Sequence, residues 1–155
     1  MKVHVHTDFD TALSPEGVVA TLTDFSPKRP ELWPDLDPAK YEVHELKGAC
    51  AIVTEGNRTP DVWAREHYDW SQPGKVSWRA EDSNFSARGS GVDVTVTPTN
   101  GGGSHVEVDW DRVSSGVKGF LIVGAMGLIG KRRLRSGYKE VFDRVAGLSG
   151  SNLSA

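Results

Sequence analysis

The chain has 155 residues, 37% of them hydrophobic and 25% charged, with a net charge of −3. That balance excludes a disordered chain, a collagen-like repeat and a polytopic membrane protein, and it gives no overall attraction to nucleic acid. A single cysteine, Cys50, excludes an internal disulfide and a cysteine-based structural zinc site.

Lys2–Asp8 alternates as a strand. No apolar run of signal-peptide length follows Met1-Lys2, so a cytoplasmic protein is expected. Ser14-Pro15-Glu16 opens a helix, with Ser at the N-cap and Pro at the first helical position, and that helix runs to about Asp24. Four prolines over 26–38 leave room only for a short second helix around Arg29–Trp33.

From Tyr41 the period becomes two. Tyr41–Leu46 and Ala49–Thr54 form a hairpin around Lys47-Gly48, and strands follow at Asp61–Ser71, Lys75–Asp82, Ser90–Thr97 and Ser104–Val113. Gly101-Gly102-Gly103 leads into a strand and is a hairpin turn, since a phosphate loop needs a helix after it. Leu134, Tyr138, Val141, Phe142, Val145 and Leu148 then share one helical face. Gly119–Gly130 is uncharged, and within it Phe120–Ile129 is apolar on all sides; at about 18 Å as a helix the segment is too short to cross a bilayer and is expected to be buried. One long helix over Gly116–Gly147 results, with a bend expected near Gly127 or Gly130.

The fold class is α+β: seven antiparallel strands in a curved sheet wrapped around a long C-terminal helix, with two short helices between strands one and two. A single domain over 1–149 and a disordered tail over 150–155 are expected. A curved sheet gripping a long helix leaves a natural ligand cavity between them.

These residues carry a resemblance. Ser14-Pro15-Glu16-Gly17-Val18 opening the first helix, Asp24-Phe25 closing it, Trp33-Pro34, the turn Trp70-Ser71-Gln72-Pro73-Gly74 and the run Asp82-Ser83-Asn84-Phe85 resemble the helix-grip (SRPBCC) superfamily, which includes START lipid-transfer domains, birch-pollen allergens and polyketide cyclase/dehydrase-like proteins. The similarity is to the bacterial polyketide cyclase-like branch. It implies a pocket for a hydrophobic, lipid- or polyketide-like small molecule, without a cofactor. Carriers, sensors and cyclases share the fold, so it does not choose among them.

Strand phase places Val62, Ala64, Glu66, Tyr68 and Trp70 inward, with Val76, Trp78, Ala80, Val92, Val94, Val96, Val106, Val108 and Trp110. The residues expected to line the cavity are Trp33, Glu66, Tyr68, Trp70, Trp78, Asn84, Val94, Val108, Trp110 and Phe120. Glu66 stands in the apolar phase, where a carboxylate needs a partner. It reads as a ligand anchor or acid/base group, or as the partner of a cavity-facing arginine or a group at a wet mouth. Glu66 and Tyr68 are the catalytic candidates if the protein is a cyclase or dehydratase. Asn84 reads as a group at the pocket entrance or as a loop amide capping a turn.

His4, His6 and His105 with Glu107 share the outer face of the first and last strands, a pattern that suits zinc, but no metal is expected there. Residues 118–144 hold seven Lys/Arg and two acids, a net +5 against −8 elsewhere. Lys131-Arg132-Arg133-Leu134-Arg135 reads as a solvated helix face or as a peripheral membrane patch. The expected partner is a hydrophobic small molecule. Nucleic acid and stable membrane insertion are not expected, and the chain is expected to be a monomer or homodimer.

Overall fold

The computed structural model describes residues 1–153, with side chains described through Leu148. Elements run β1 (Lys2–Thr11), α1 (Pro15–Leu22), α2 (Arg29–Leu32), a 3₁₀ turn (Pro38–Lys40), β2 (Glu42–Lys47), β3 (Cys50–Asn57), β4 (Val62–Asp69), β5 (Lys75–Ser83), β6 (Gly91–Pro98), β7 (Ser104–Val113) and α3 (Gly116–Leu153). The tail expected over 150–155 falls outside the described side chains. The strands form one antiparallel sheet in the order β1-β7-β6-β5-β4-β3-β2, so the first and last strands are neighbours.

The N-cap of α1 forms as its sequence dictates: the Ser14 hydroxyl accepts the Gly17 N–H at 3.1 Å. Alternation sets the sheet's inner face. In β4, Val62, Ala64, Glu66 and Tyr68 are buried while Arg65, His67 and Asp69 are exposed. The register stacks like on like, with Tyr68 opposite Trp78, Trp78 opposite Val92 and Val94 opposite Val108. A bulge leaves Glu81 as an extra residue between the pairs Arg65–Asp82 and Glu66–Ala80. It re-aims the end of β5 without disturbing Val76, Trp78 and Ala80, which stay buried.

Helix α3 lies along β1 and runs in the same direction. Val3 meets the Gly127 position, Val5 the Gly130 position, and Phe9 packs on Phe142 at 5.9 Å between ring centres. The two elements advance together: Val3 to Phe9 spans about 20 Å of strand and Gly127 to Phe142 about 22 Å of helix. The helix is continuous through Gly127 and Gly130. Its start is held against the β5–β6 loop, where the Ser115 N–H donates to the Phe85 carbonyl. Gly119 packs so close that a Cβ there would lie 2.0 Å from that carbonyl oxygen.

The apolar run Phe120–Ile129 is not buried on all sides as expected. Val123 is fully buried, but Phe120 is 54% exposed, Leu121 65% and Leu128 89%. A sheet covers one face of a helix, and no other element among the described residues covers these side chains.

Gly119→Ala is expected to destabilise the protein by about 1–3 kcal/mol, because backbone and not a flexible side chain must move. Gly147→Ala, in open space on the same helix, is expected to stabilise it by about 0.5–1 kcal/mol. Urea denaturation of both variants checks the pair.

Candidate functional site

Because α3 follows the edge strand β1, the far half of the sheet stands away from it. Two adjoining lobes fill the hollow, with volumes of about 260 Å³ and about 610 Å³. Trp33, Asp35, Asn57, Val62, Phe85 and Tyr138 border both. The outer lobe is walled by α3 (Ile122, Met126, Leu134 and Val141 among others) together with Trp110 and Pro60.

The inner lobe has a polar floor built from two ion pairs, Arg112–Glu66 buried and Arg29–Glu55 partly buried at its carboxylate. Arg29 Nε donates to Glu55 Oε1 at 2.5 Å, and the other Glu55 oxygen accepts the Tyr68 hydroxyl at 2.5 Å. Arg29 Nη1 also donates to the carbonyls of Leu22 and Asp24, each at 3.0 Å, and its guanidinium lies over the Phe25 ring at 4.6 Å. Beside this unit, Arg112 Nη2 donates to Glu66 Oε1 at 2.5 Å, and Arg112 Nη1 reaches the Ser86 hydroxyl at 3.4 Å.

Burial sets the electrostatics. It pushes the Glu66 carboxyl above the usual carboxylate range, and Arg112 opposes that shift through its charge and hydrogen bond. Burial, then the Glu55 carboxylate, pushes the Tyr68 phenol well up. Tyr138 is pushed up by burial and then by Glu66 and Glu55. Both phenols therefore stay neutral through the physiological range. The Tyr138 hydroxyl has no hydrogen-bond partner among the described residues, and its ring stands edge-on to Trp33 at 5.6 Å.

No family model and no curated protein matches the sequence. Solved structures do. A START superfamily protein from Mycobacterium smegmatis is 12% identical with a TM-score of 0.71, over 94% of this chain and 98% of that one. The Zhui aromatase/cyclase from Streptomyces sp. R1128 is 13% identical with a TM-score of 0.67, over 99% and 96%. Norcoclaurine synthase from Thalictrum flavum is 12% identical with a TM-score of 0.70, over 94% of each chain. The chain has the helix-grip fold.

Within the helix-grip hollow, five of the residues expected from sequence meet: Trp33, Glu66, Tyr68, Trp78 and Trp110 line the lobes. The other five lie elsewhere. Val94 and Val108 are packed in the core under the sheet face. Trp70 packs on Phe25 at 5.9 Å, outside both lobes. Asn84 ties its loop to the start of β4: its Oδ1 accepts the Trp63 N–H at 2.9 Å and its Nδ2 donates to the Asp61 carbonyl at 3.3 Å. Phe120 borders neither lobe: it is 54% exposed near the start of α3, one turn before the Gly124 position that Met1 reaches.

Arg29, Glu55, Arg112 and Tyr138 complete the helix-grip floor and were not singled out from sequence as site residues. The signal for two of them is strand phase: Glu55 continues Ala51 and Val53 in β3, and Arg112 continues Val108 and Trp110 in β7.

The outer-face histidines turn to aspartates. His4 Nδ1 lies 3.0 Å from Asp111, His6 Nδ1 2.8 Å from Asp109, and His105 Nδ1 2.7 Å from Asp10. The Asp10 hydrogen bond raises the His105 pKa. Among the described residues, no group of three or more His, Cys, Asp or Glu side chains is placed to hold a metal ion.

Arg112→Met leaves Glu66 buried without a counter-charge and is expected to destabilise the protein by about 3–5 kcal/mol near neutral pH. Its raised carboxyl pKa means the loss shrinks as pH falls and Glu66 protonates. The double variant Glu66→Gln/Arg112→Met is expected to recover most of the loss. Urea denaturation at about pH 5 and about pH 8 checks both signs.

Proposed function

We propose that this protein binds an apolar or aromatic small molecule in the chamber between sheet and α3, as a carrier or sensor. The observation that carries the reading is the outer lobe, a space of about 610 Å³ walled mainly by apolar side chains, within the range of small-molecule sites. Likeness to a START superfamily protein and to an aromatase/cyclase supports this reading at the level of a hydrophobic guest.

The polar floor supports binding over catalysis. Tyr68 already donates its proton to Glu55, and Glu66 already accepts from Arg112. A general acid or base must reach the substrate proton, and these contacts hold the Tyr68 proton and one Glu66 oxygen within the floor. Tyr138 faces the lobes with an unused hydroxyl, and beside it the Trp33 indole N–H is also without a partner among the described residues. Being neutral, it offers a donor to one carbonyl, ether or phenolic oxygen on an otherwise apolar guest.

Gly137 supplies the test. It borders the outer lobe, and a Cβ built on it meets nothing within 4 Å. Gly137→Phe is expected to fill the lobe and lower the affinity for a fluorescent apolar probe such as anilinonaphthalene sulfonate at least tenfold, with little change in thermal stability. Tyr138→Phe is expected to weaken binding of an acceptor-bearing aromatic probe while sparing a pure hydrocarbon. For the parent, affinity for a neutral probe is expected to stay flat from about pH 7 to about pH 9, since the raised Tyr138 pKa keeps its proton in place. Equal probe affinity in the parent and Gly137→Phe would remove the chamber as the binding site.

A further inference from the structure

Among the described residues, ten large apolar side chains are exposed, and five of them fall within α3 between Val117 and Ile129: Val117, Phe120, Leu121, Leu128 and Ile129. Exposed apolar residues are ordinarily scattered; a cluster marks a contact surface. At about 100° per residue, Val117, Phe120, Leu121 and Leu128 fall within an arc of about 100° on one side of the helix.

The same side continues into charge. Lys131, Arg132 and Arg135 lie in line with that stripe, are exposed, and form no ion pair among the described residues. Other cations of the helix are engaged: Lys118 with Asp61, Arg133 with Asp35, Lys139 with Asp143 and Arg144 with Glu140. The stripe thus passes from uncompensated apolar surface to uncompensated positive charge over about 27 Å of helix. It meets the chamber at Leu121, which borders the outer lobe.

We propose that this face of α3 docks on an anionic lipid surface. The apolar side chains would enter the boundary between headgroups and acyl chains, and Lys131, Arg132 and Arg135 would meet the anionic headgroups. No helix among the described residues is long and apolar enough to cross a membrane, so the contact is peripheral. A lipid surface matches both halves of the stripe, apolar and cationic. The edge of the chamber at Leu121 then faces the bilayer, which suits exchange of an apolar guest.

Co-sedimentation of the full chain with phosphatidylcholine vesicles, with and without phosphatidylglycerol, tests the proposal. Binding is expected with the anionic vesicles only, and it is expected to weaken at high salt. Leu121→Glu/Leu128→Glu and, separately, Arg132→Glu/Arg135→Glu are each expected to lower it at least tenfold, since one basic residue near such a surface accounts for about a fivefold change. These positions are exposed, and circular dichroism of each variant checks the fold. Gly137→Phe, which fills the chamber, is expected to sediment like the parent, so a failed ligand reading and a failed docking reading are distinguishable. No sedimentation with anionic vesicles at low salt overturns the proposal. Binding that neither double variant changes does the same. So does light scattering that shows a dimer disrupted by Leu121→Glu/Leu128→Glu, because the stripe would then be covered by a second copy.

Discussion

The lie of α3 along the edge strand β1 is the constraint from which the other features follow. Strand and helix rise at different rates, yet six residues of β1 and fifteen of α3 cover nearly the same distance. Val3, Val5 and Phe9 therefore meet Gly127, Gly130 and Phe142 in order. Small residues at the contact bring the helix close to β1. Two consequences come together. The strands on the far side of the sheet curl away and leave a hollow, and the outer side of the helix is left without cover. Chamber and exposed stripe are two results of one packing choice.

The floor of the chamber shows a different economy. Removing charge from water is costly, and a buried ion pair adds little net stability over a well-packed apolar pair. Here each carboxylate has an arginine at 2.5 Å, and the Arg29–Glu55 pair also fixes the Tyr68 hydroxyl. The arginines lie over Phe25 and Phe85, which shields their flat faces. What such a network contributes is definition: it holds Tyr68 and Trp78, stacked at 5.0 Å, in one arrangement. A guest then meets a rigid floor whose polar groups are largely occupied by one another, together with apolar walls. Selection by shape and apolar area follows from that, with one hydroxyl on Tyr138 for orientation.

Much of this was legible in the residues. Alternation in β4 to β7 marks the inner face, and Glu66 stands out as a carboxylate among apolar neighbours. The short turns dictate antiparallel neighbours, and the C-terminal helix is the one element long enough to cover the concave face. The partners of the buried carboxylates were not legible. Arg112 sits at the end of a strand, where an arginine ordinarily reaches solvent; only the curl of the sheet brings it back to Glu66. Arg29 lies in a proline-bound segment with no period, so its path to Glu55 depends on how that segment crosses the sheet. The helix misleads in the opposite sense. An all-round apolar run signals burial on every side, but the sheet has one concave face and covers one side of Phe120–Ile129. Asn84 has the side chain of a ligand contact and spends it on the backbone of its own loop.

The most direct test of the account is where an apolar guest sits. Isotope-filtered NMR of the protein with a bound aromatic probe reports which protons touch it. The account requires cross-peaks from the probe to the Trp33 indole, the Tyr138 ring and the Met126 methyl. Cross-peaks confined to Val117, Leu121 and Leu128, with none to Trp33 or Tyr138, would contradict it, because the hollow would then be empty and the outer face of the helix the place where apolar molecules bind.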